Sequence, residues 1–134
     1  MKDFSRIKLD SAITPTLKVG DGTVSPDSYY KVTYFGELKF AVGATLPESG
    51  TATATVMAAT STSGTSAAAV SGHNTLVLTG DTGGSSEYGE LTVDASLIPA
   101  TKRYIGLKID TVFGTGVSGT VGGMLVRGSE RFSS

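Results

Sequence analysis

The chain of 134 residues has no cysteine, no tryptophan and a single histidine. Without cysteine it has neither a disulfide nor a thiolate ligand for a metal. The histidine, His73, lies between Gly72 and Asn74 in a polar stretch, and no Gly-x-Ser-x-Gly motif accompanies it. One histidine supplies neither a transition-metal cluster nor a convincing Ser-His-Asp triad. The sequence therefore predicts no enzyme, no bound metal and no cofactor.

An excess of charge of one sign and long apolar runs are also missing. The 11 basic and 12 acidic residues are scattered and give a formal net charge of -1, so no basic field is present for a phosphate backbone. No run of about 18 apolar residues occurs, and the first residues, MKDFSR, lack the apolar segment of a secretion signal. We therefore expect neither a nucleic-acid partner nor a membrane partner.

Glycine is abundant, with 18 residues, and turn residues separate short runs of alternating apolar and polar side chains. This two-residue period is typical of half-buried strands. The clearest runs are Leu38, Phe40, Val42 and Ala44; Ala52, Ala54 and Val56; and Ile105, Leu107 and Ile109. Several short strands joined by turns predict an all-β, antiparallel β-sandwich that is jelly-roll-like. The segment 94 to 100 is expected to hold one short helical turn before Pro99.

The sequence divides into three parts. Residues 1–24 predict an extended N-terminal arm or, alternatively, a first edge strand; residues 25–128 predict the sandwich domain, and residues 129–134 a C-terminal tail. Within the domain, residues 51–72 are almost all Ala, Thr, Ser or Gly. This composition favours a strand followed by a flexible loop near 60–66, with a flat face against a neighbouring subunit as the alternative.

Two further patterns invite a functional interpretation. Asp21 with Asp27, or Asp81 with Glu87 and Glu90, offer oxygen ligands for calcium or a glycosidase pair, but neither set has a known calcium spacing. We interpret them as solvated turns. The segment GTGVSG at 114–119 formally matches Gly-x-Gly-x-x-Gly, yet no helix follows it, so we predict a hairpin turn and reject a dinucleotide site.

The aromatic run at 29–35 (YYKVTYF) predicts a contact surface. Alternation places Tyr30 and Tyr34 with Val32 toward the core, which leaves Tyr29 and Phe35 on the other face. Apolar residues of the N-terminal arm are the other candidates, since an arm can pair with a second chain. The predicted partner-contact residues are Phe4, Ile7, Leu9, Ile13, Leu17, Tyr29 and Phe35.

The segment 91–128 (LTVDASLIPATKRYIGLKIDTVFGTGVSGTVGGMLVRG) resembles the small β-sandwich decoration, or cement, proteins of tailed-bacteriophage capsids. The likeness lies in the polar ATKRY lead, the apolar strand IGLKI, the glycine-rich turn and the final Val-rich strand. The segment LKFAVGAT at 38–45 is similar to an early strand of the same family. The tail RGSERF at 127–132 has no counterpart there.

The resemblance implies a subunit, made in the host bacterial cytoplasm, that lies on the capsid surface of a virion. Its partners would be the major capsid protein and one or two further copies of itself, in a dimer or trimer, and it would hold neighbouring capsid proteins together. The alternative is a carbohydrate-binding or adhesion module of a tail fibre or surface protein, suggested by Tyr29 and Phe35. The lack of tryptophan argues against that alternative, because its ring offers the largest apolar face for a sugar.

Overall fold

The computed structural model describes residues 8–32 and 38–127, with side chains from residue 9 onward. Their regular structure is β-strand apart from one three-residue 3-10 turn, Ala95–Leu97, which Asp94 caps by accepting a hydrogen bond from the Ser96 N–H. The predicted short helical turn is thus confirmed. The strands are β1 (Lys8–Val19), β2 (Gly22–Val24), β3 (Tyr30–Lys31), β4 (Leu38–Leu46), β5 (Thr51–Ala59), β6 (Ala68–Ala69), β7 (Leu76–Thr79), β8 (Ser85–Thr92), β9 (Tyr104–Val112) and β10 (Ser118–Arg127).

The strands form two antiparallel sheets. The first sheet has the order β1-β10-β4-β8. In the second sheet, β9 and β5 are central; β2 and β3 pair with one edge of β9, and β6 and β7 pair with β5. Since β2 with β3, and β6 with β7, each act as one interrupted strand, the two sheets have the eight-strand arrangement of a jelly roll. The predicted all-β, jelly-roll-like sandwich is confirmed.

The core lies between the two sheets and follows the alternation in the sequence. In β4 the residues Leu38, Phe40, Val42, Ala44 and Leu46 are all buried, while the residues between them are exposed or half-buried. The inner face of the second sheet is filled by β5 and β9 in the same way. Because these apolar residues share one face of each strand, packing the two faces together removes them from water. The fully buried large side chains include Phe40, Ile105, Leu107, Ile109, Val121 and Leu125.

Strand β1 forms one edge of the first sheet and pairs with β10 from Lys8 to Val19. Of the two possibilities left open for residues 1–24, the part from 8 to 19 is an edge strand, and residues 1–7 lie outside the described residues. Its pairing shifts register on both sides of Ile13. At this bulge the Asp27 carboxylate accepts hydrogen bonds from the Thr14 N–H and hydroxyl, both at 2.6 Å. The boundaries at residues 24 and 128 stay a prediction.

The glycine-rich turn after β9 differs from the predicted hairpin. Gly114 and Gly116 adopt φ values of 96° and 76°, a backbone region that glycine enters without a steric cost. The turn leads from β9 in the second sheet to β10 in the first sheet, so the two strands do not pair with each other. The expectation of a hairpin was wrong because two successive strands of a sandwich can belong to opposite layers.

Candidate assembly surface

His73 has a structural place in the fold. Its Nε2 accepts a hydrogen bond from the Asp94 N–H at 3.0 Å, and its Nδ1 lies 2.9 Å from the Asn74 carbonyl oxygen. Both ring nitrogens therefore contact backbone groups, and the ring connects the loop before β7 to the segment after β8. In this position the imidazole holds two loops together. Neither of its two hydrogen-bond partners is a hydroxyl group that could act as a nucleophile.

The carboxylates considered for calcium or for a glycosidase pair take part in contacts within the fold. Asp21 accepts from the N–H groups of Phe113 and Gly114, and Glu87 accepts from the Ser85 hydroxyl at 2.7 Å. Across residues 8–32 and 38–127, no group of three His, Cys, Asp or Glu side chains could hold a metal ion. These carboxylates cap turns and strand ends. In the same ranges, no helix is long and apolar enough to span a membrane.

The outer face of the first sheet carries most of the exposed large apolar side chains. The register aligns outward residues into rows across β1, β10, β4 and β8. Leu17, which is 67% exposed, starts a row that continues through Thr120, Thr45 and Ser86. The exposed apolar residues on this face are Leu9, Leu17, Val19, Tyr88 and Met124. Exposed large apolar side chains gathered on one face are typical of sites of association.

A groove of about 530 Å³ crosses the middle of this outer face. The register sets Gly122 beside Gly43, and Gly43 beside Tyr88, so two neighbouring strands have no side chain at this level. The bulge of β1 brings Pro15 over Gly122, where an added Cβ would lie 3.2 Å from the Pro15 Cα. The floor of the groove is therefore open at Gly43, and Pro15 forms one edge over Gly122. Its main lining residues are Pro15, Ala41, Gly43, Tyr88, Gly122 and Met124.

The charged side chains near the groove neutralise each other. Lys39 and Glu90 form an ion pair at 3.1 Å, and the Tyr88 hydroxyl donates to the other Glu90 oxygen at 2.8 Å. This hydrogen bond is the first cause that lowers the pKa of Glu90, followed by the bond from Lys39, and it also raises the pKa of Tyr88. The carboxylate is thus kept ionised and the phenol protonated. The face consequently carries apolar and hydroxyl side chains, with one neutralised ion pair near one end.

A second polar cluster closes one end of the sandwich. Arg127 pairs with Asp10, and its guanidinium lies 5.8 Å from the centre of the Tyr30 ring. The Tyr30 hydroxyl donates to the Ser11 carbonyl oxygen at 2.5 Å. Burial, followed by the charges of Asp10 and Asp27, raises the pKa of Tyr30. The cluster holds β1, β3 and β10 together, and we assign it to the fold.

The predicted contact residues have different positions in the structure. Leu9 and Leu17 are exposed on the outer face of the first sheet. Ile13 is 1% exposed, because the bulge of β1 turns both Ala12 and Ile13 into the core. The expectation that Ile13 contacts a partner was therefore wrong. Phe4, Ile7 and Phe35, together with Tyr34, lie outside the described residues.

Tyr29 corrects another expectation. Its ring lies over Gly106 on the outer side of the second sheet, as alternation predicted, but it is only 6% exposed. The loop after β5 covers it: the Tyr29 N–H donates to the Thr62 carbonyl oxygen at 3.0 Å, and Gly64 lies against the ring. Burial raises the pKa of its hydroxyl. The small residues at 60–66 thus form a cover for Tyr29, and its ring is not available as a contact surface.

Sequence reasoning missed the groove residues. Tyr88 and Leu91 lie close together in the sequence, but their side chains point to opposite faces of β8. Met124 lies in a strand with apolar residues of both parities, and it is 44% exposed. The available signal was the pairing of two glycine-containing strands, β4 and β10, but the register that sets Gly43 beside Gly122 follows only from the sheet order.

The sequence matches no protein-family model and no curated protein. Among solved structures, it is similar to chains from particles of infectious bursal disease virus. The structure of the Gt strain gives a TM-score of 0.50 with 18% identity, covering 91% of this chain and 31% of that chain. The Gx strain gives 0.48 and 17%, covering 95% and 33%, and the VP2 subviral particle gives 0.49 and 16%, covering 91% and 32%.

This chain therefore spans about a third of the length of the virus chains that it matches. At this level of identity, the likeness to the Gt-strain structure shows a shared fold alone. It agrees with the jelly-roll order of the two sheets. What the chain does has to be argued from its own surface.

Proposed function

We propose that this chain is a structural virion protein that binds the outer surface of a tailed-phage capsid and stabilises contacts between major capsid proteins. The observation that carries the proposal is the outer face of the first sheet, on which Leu9, Leu17, Val19, Tyr88 and Met124 are exposed to water. A monomer gains nothing by exposing this surface to water, whereas burial against a partner is favourable.

Two further observations support the proposal. The chain has the fold of chains that occur in virus particles, and its segment 91–128 resembles capsid decoration proteins. In addition, Asp21, Glu87, Glu90 and His73 take part in contacts that hold loops and strands of the fold.

The carbohydrate-binding alternative loses the residue on which it most depended. Tyr29 lies under a loop of its own chain, where its ring has no free face for a sugar. Phe35 lies outside the described residues. We therefore keep the virion role as the proposed function.

Co-sedimentation tests the proposal. Purified protein at roughly 1–10 µM, mixed with expanded capsids assembled without it, should pellet with the particles and stay in the supernatant without them. Leu17→Lys should weaken binding about tenfold, because it places a charge where a leucine would be buried. Val77→Lys, at a similarly exposed valine of β7 in the second sheet, is the matched control and should bind like the wild type.

Wild-type protein that stays wholly in the supernatant would contradict the proposed function. Equal weakening by Leu17→Lys and Val77→Lys would instead show that the outer face of the first sheet has no special role in binding.

A further inference from the structure

We infer that the free edge of β8 binds an extended, basic segment of the capsid protein as an added β-strand. The inference deepens the proposed function and rests on it, because it names the part of the partner that this chain would hold. An added strand lies beside β8 and continues the first sheet, so it leaves the outer face of that sheet free for its own contacts. A comparison of the edges of the two sheets leads to this inference.

Three of the four sheet edges are protected against a further strand. The pairing of β1 shifts register twice, Pro15 lies in the second shift, and Asp27 occupies the Ala12 carbonyl oxygen and the Thr14 N–H. One edge of the second sheet consists of β2 and β3, with three and two residues and Pro26 between them. The other edge consists of β6 and β7, with two and four residues. Bulges, prolines and short strands are common means of preventing pairing at an edge.

Strand β8 has none of these protections. Its eight residues contain no proline and pair with β4 without a register shift. The Val93 N–H donates to the Leu38 carbonyl oxygen, so every second residue from Val93 back to Ser85 bonds β4 in the antiparallel ladder. The N–H and C=O groups of the residues between them point away from β4, namely those of Ser86, Tyr88, Glu90 and Thr92. Within residues 8–32 and 38–127, no strand pairs with this side of β8.

Such an edge is a template for strand addition. When an extended peptide adds to a sheet, main-chain hydrogen bonds supply the affinity and the alternating side chains supply the specificity. The outward groups of β8 alternate over its whole length, so they offer a donor and an acceptor at every second residue. The occupant that this pattern fits is an extended main chain.

The charge near the start of β8 favours a basic segment. Glu48 accepts a hydrogen bond from the Gly83 N–H at 3.0 Å. The Asp81 N–H donates to the Ser85 hydroxyl at 2.9 Å, and this hydroxyl donates to Glu87 at 2.7 Å. None of these three acidic residues forms an ion pair with a described residue. Since like charges oppose association, β8 of a second copy would meet its own carboxylates here, whereas a basic segment of another protein is attracted.

A proline variant tests the main-chain bonds of the edge. Ser86 is exposed and its N–H points away from β4, so Ser86→Pro removes one edge donor and leaves the ladder to β4 intact. In co-sedimentation with expanded capsids assembled without this chain, Ser86→Pro should bind at least about tenfold more weakly than the wild type. The donor is lost, and the proline ring lies where the added strand would lie. Ser86→Ala keeps the N–H and should lose much less of the binding.

Val77→Pro is the matched control at an edge of the second sheet. The Gly80 N–H donates to the Gly50 carbonyl oxygen, so the same alternation leaves the Val77 N–H outside the pairing of β7 with β5. This variant should bind capsids like the wild type. Circular dichroism and the melting temperature establish that each variant is folded.

Hydrogen–deuterium exchange examines the same edge without a substitution. Residue-resolved mass spectrometry should show fast exchange of the Ser86, Tyr88, Glu90 and Thr92 amides in the free protein, because these amides face water. The same amides should be protected in the protein bound to capsids. The amides of the residues that bond β4 should exchange slowly in both states.

A double variant tests the charge of the segment. Glu48→Gln with Glu87→Gln keeps an accepting oxygen for each hydrogen bond and removes two negative charges. At about 50 mM salt it should bind capsids about tenfold more weakly than the wild type, and the difference should shrink at about 500 mM salt, which screens the attraction. A double variant that binds as tightly as the wild type at low salt would overturn the basic character of the segment.

The exchange measurement also separates the possible occupants. Protection of the outward amides in dilute free protein would show that the chain covers its own edge, and protection that appears only at about 100 µM free protein would show that a second copy does. Either result would overturn the inference, as would equal weakening by Ser86→Pro and Ser86→Ala. A wild type that pellets with capsids while these amides stay unprotected ends the strand addition alone. A wild type that never pellets ends the proposed function.

Discussion

The outer faces of the two sheets are built on the same strand period but differ in composition. In the second sheet, β5 presents Thr51, Thr53 and Thr55. Thr53 lies beside the exposed Val77 of β7, and Thr51 beside the exposed Val112 of β9. Nearby, Asp110 accepts a hydrogen bond from Thr23 and pairs with Lys108. In the first sheet, apart from Lys39, the outer positions of β4 and β10 carry small residues, threonines, Met124 and Val126.

This difference separates folding from association. Both sheets have the same apolar inner face, which is what folding requires. Threonines and the Lys108–Asp110 pair lie beside the exposed valines of the second outer face, whereas the first outer face exposes the larger Leu, Tyr and Met side chains to water. The inner faces determine the sandwich, and the outer face of the first sheet exposes more of the large apolar side chains.

Two core variants, with the largest expected change in the free energy of unfolding, test whether the two inner faces are equivalent. Phe40 in the first sheet and Leu107 in the second are both 0% exposed. Phe40→Ala should lower the free energy of unfolding by about 3–5 kcal/mol, and Leu107→Ala by about 2–5 kcal/mol, since each leaves a cavity. Urea denaturation followed by circular dichroism measures both. If only one variant were destabilised by more than about 1 kcal/mol, the sheets would not share one core.

The inner faces were also the part of the fold that the sequence predicts best. Alternation identifies Phe40, Val42, Leu107 and Ile109 as inward-facing because a strand that turns one side to a core repeats every two residues. The sandwich follows from several such strands separated by turns. The order of the strands does not follow, since pairing such as β1 with β10 joins residues far apart in the chain.

Two predicted contact residues, Ile13 and Tyr29, proved to be buried, and each has a physical reason. Ile13 is buried because a bulge in β1, held by Asp27, breaks the two-residue period. Tyr29 is buried because a loop some 30 residues later folds over it. Each depends on a contact distant in sequence. The groove likewise requires the register that sets Gly43 beside Gly122, so the candidate site became apparent only in three dimensions.

Two glycine-to-alanine variants compare the two sides of the first sheet, with a smaller expected change in the free energy of unfolding. Gly43 faces the open groove, and Gly119 faces inward, where an added Cβ would lie 2.7 Å from the Thr45 carbonyl oxygen. Gly43→Ala should raise the free energy of unfolding by about 0.5–1 kcal/mol, because it restricts the unfolded chain and meets no atom. Gly119→Ala should lower it by about 1–3 kcal/mol through crowding. Thermal and urea denaturation of the two variants, measured where the protein is monomeric, checks both signs.

The same sign for both alanine variants would contradict the difference between the open and closed sides. A destabilising Gly43→Ala in particular would show that the groove floor is already in contact with part of the chain.

The smallest effect concerns the charged end of the first outer face. In the folded protein, hydrogen bonds from Tyr88 and Lys39 lower the pKa of Glu90, so the folded state binds this proton less readily than the unfolded state. The resulting stabilisation is present above the ordinary glutamate value and is lost as the pH falls through the lowered pKa. Between neutral pH and about pH 3, Glu90→Gln should therefore lose less stability than the wild type.

Tyr88→Phe removes the first of the two donors and keeps the carboxylate. Its urea midpoint should fall on acidification by less than that of the wild type and by more than that of Glu90→Gln. If all three proteins lost stability equally on acidification, these hydrogen bonds would not stabilise the ionised Glu90, and the compensated charge on this face would have to be reconsidered.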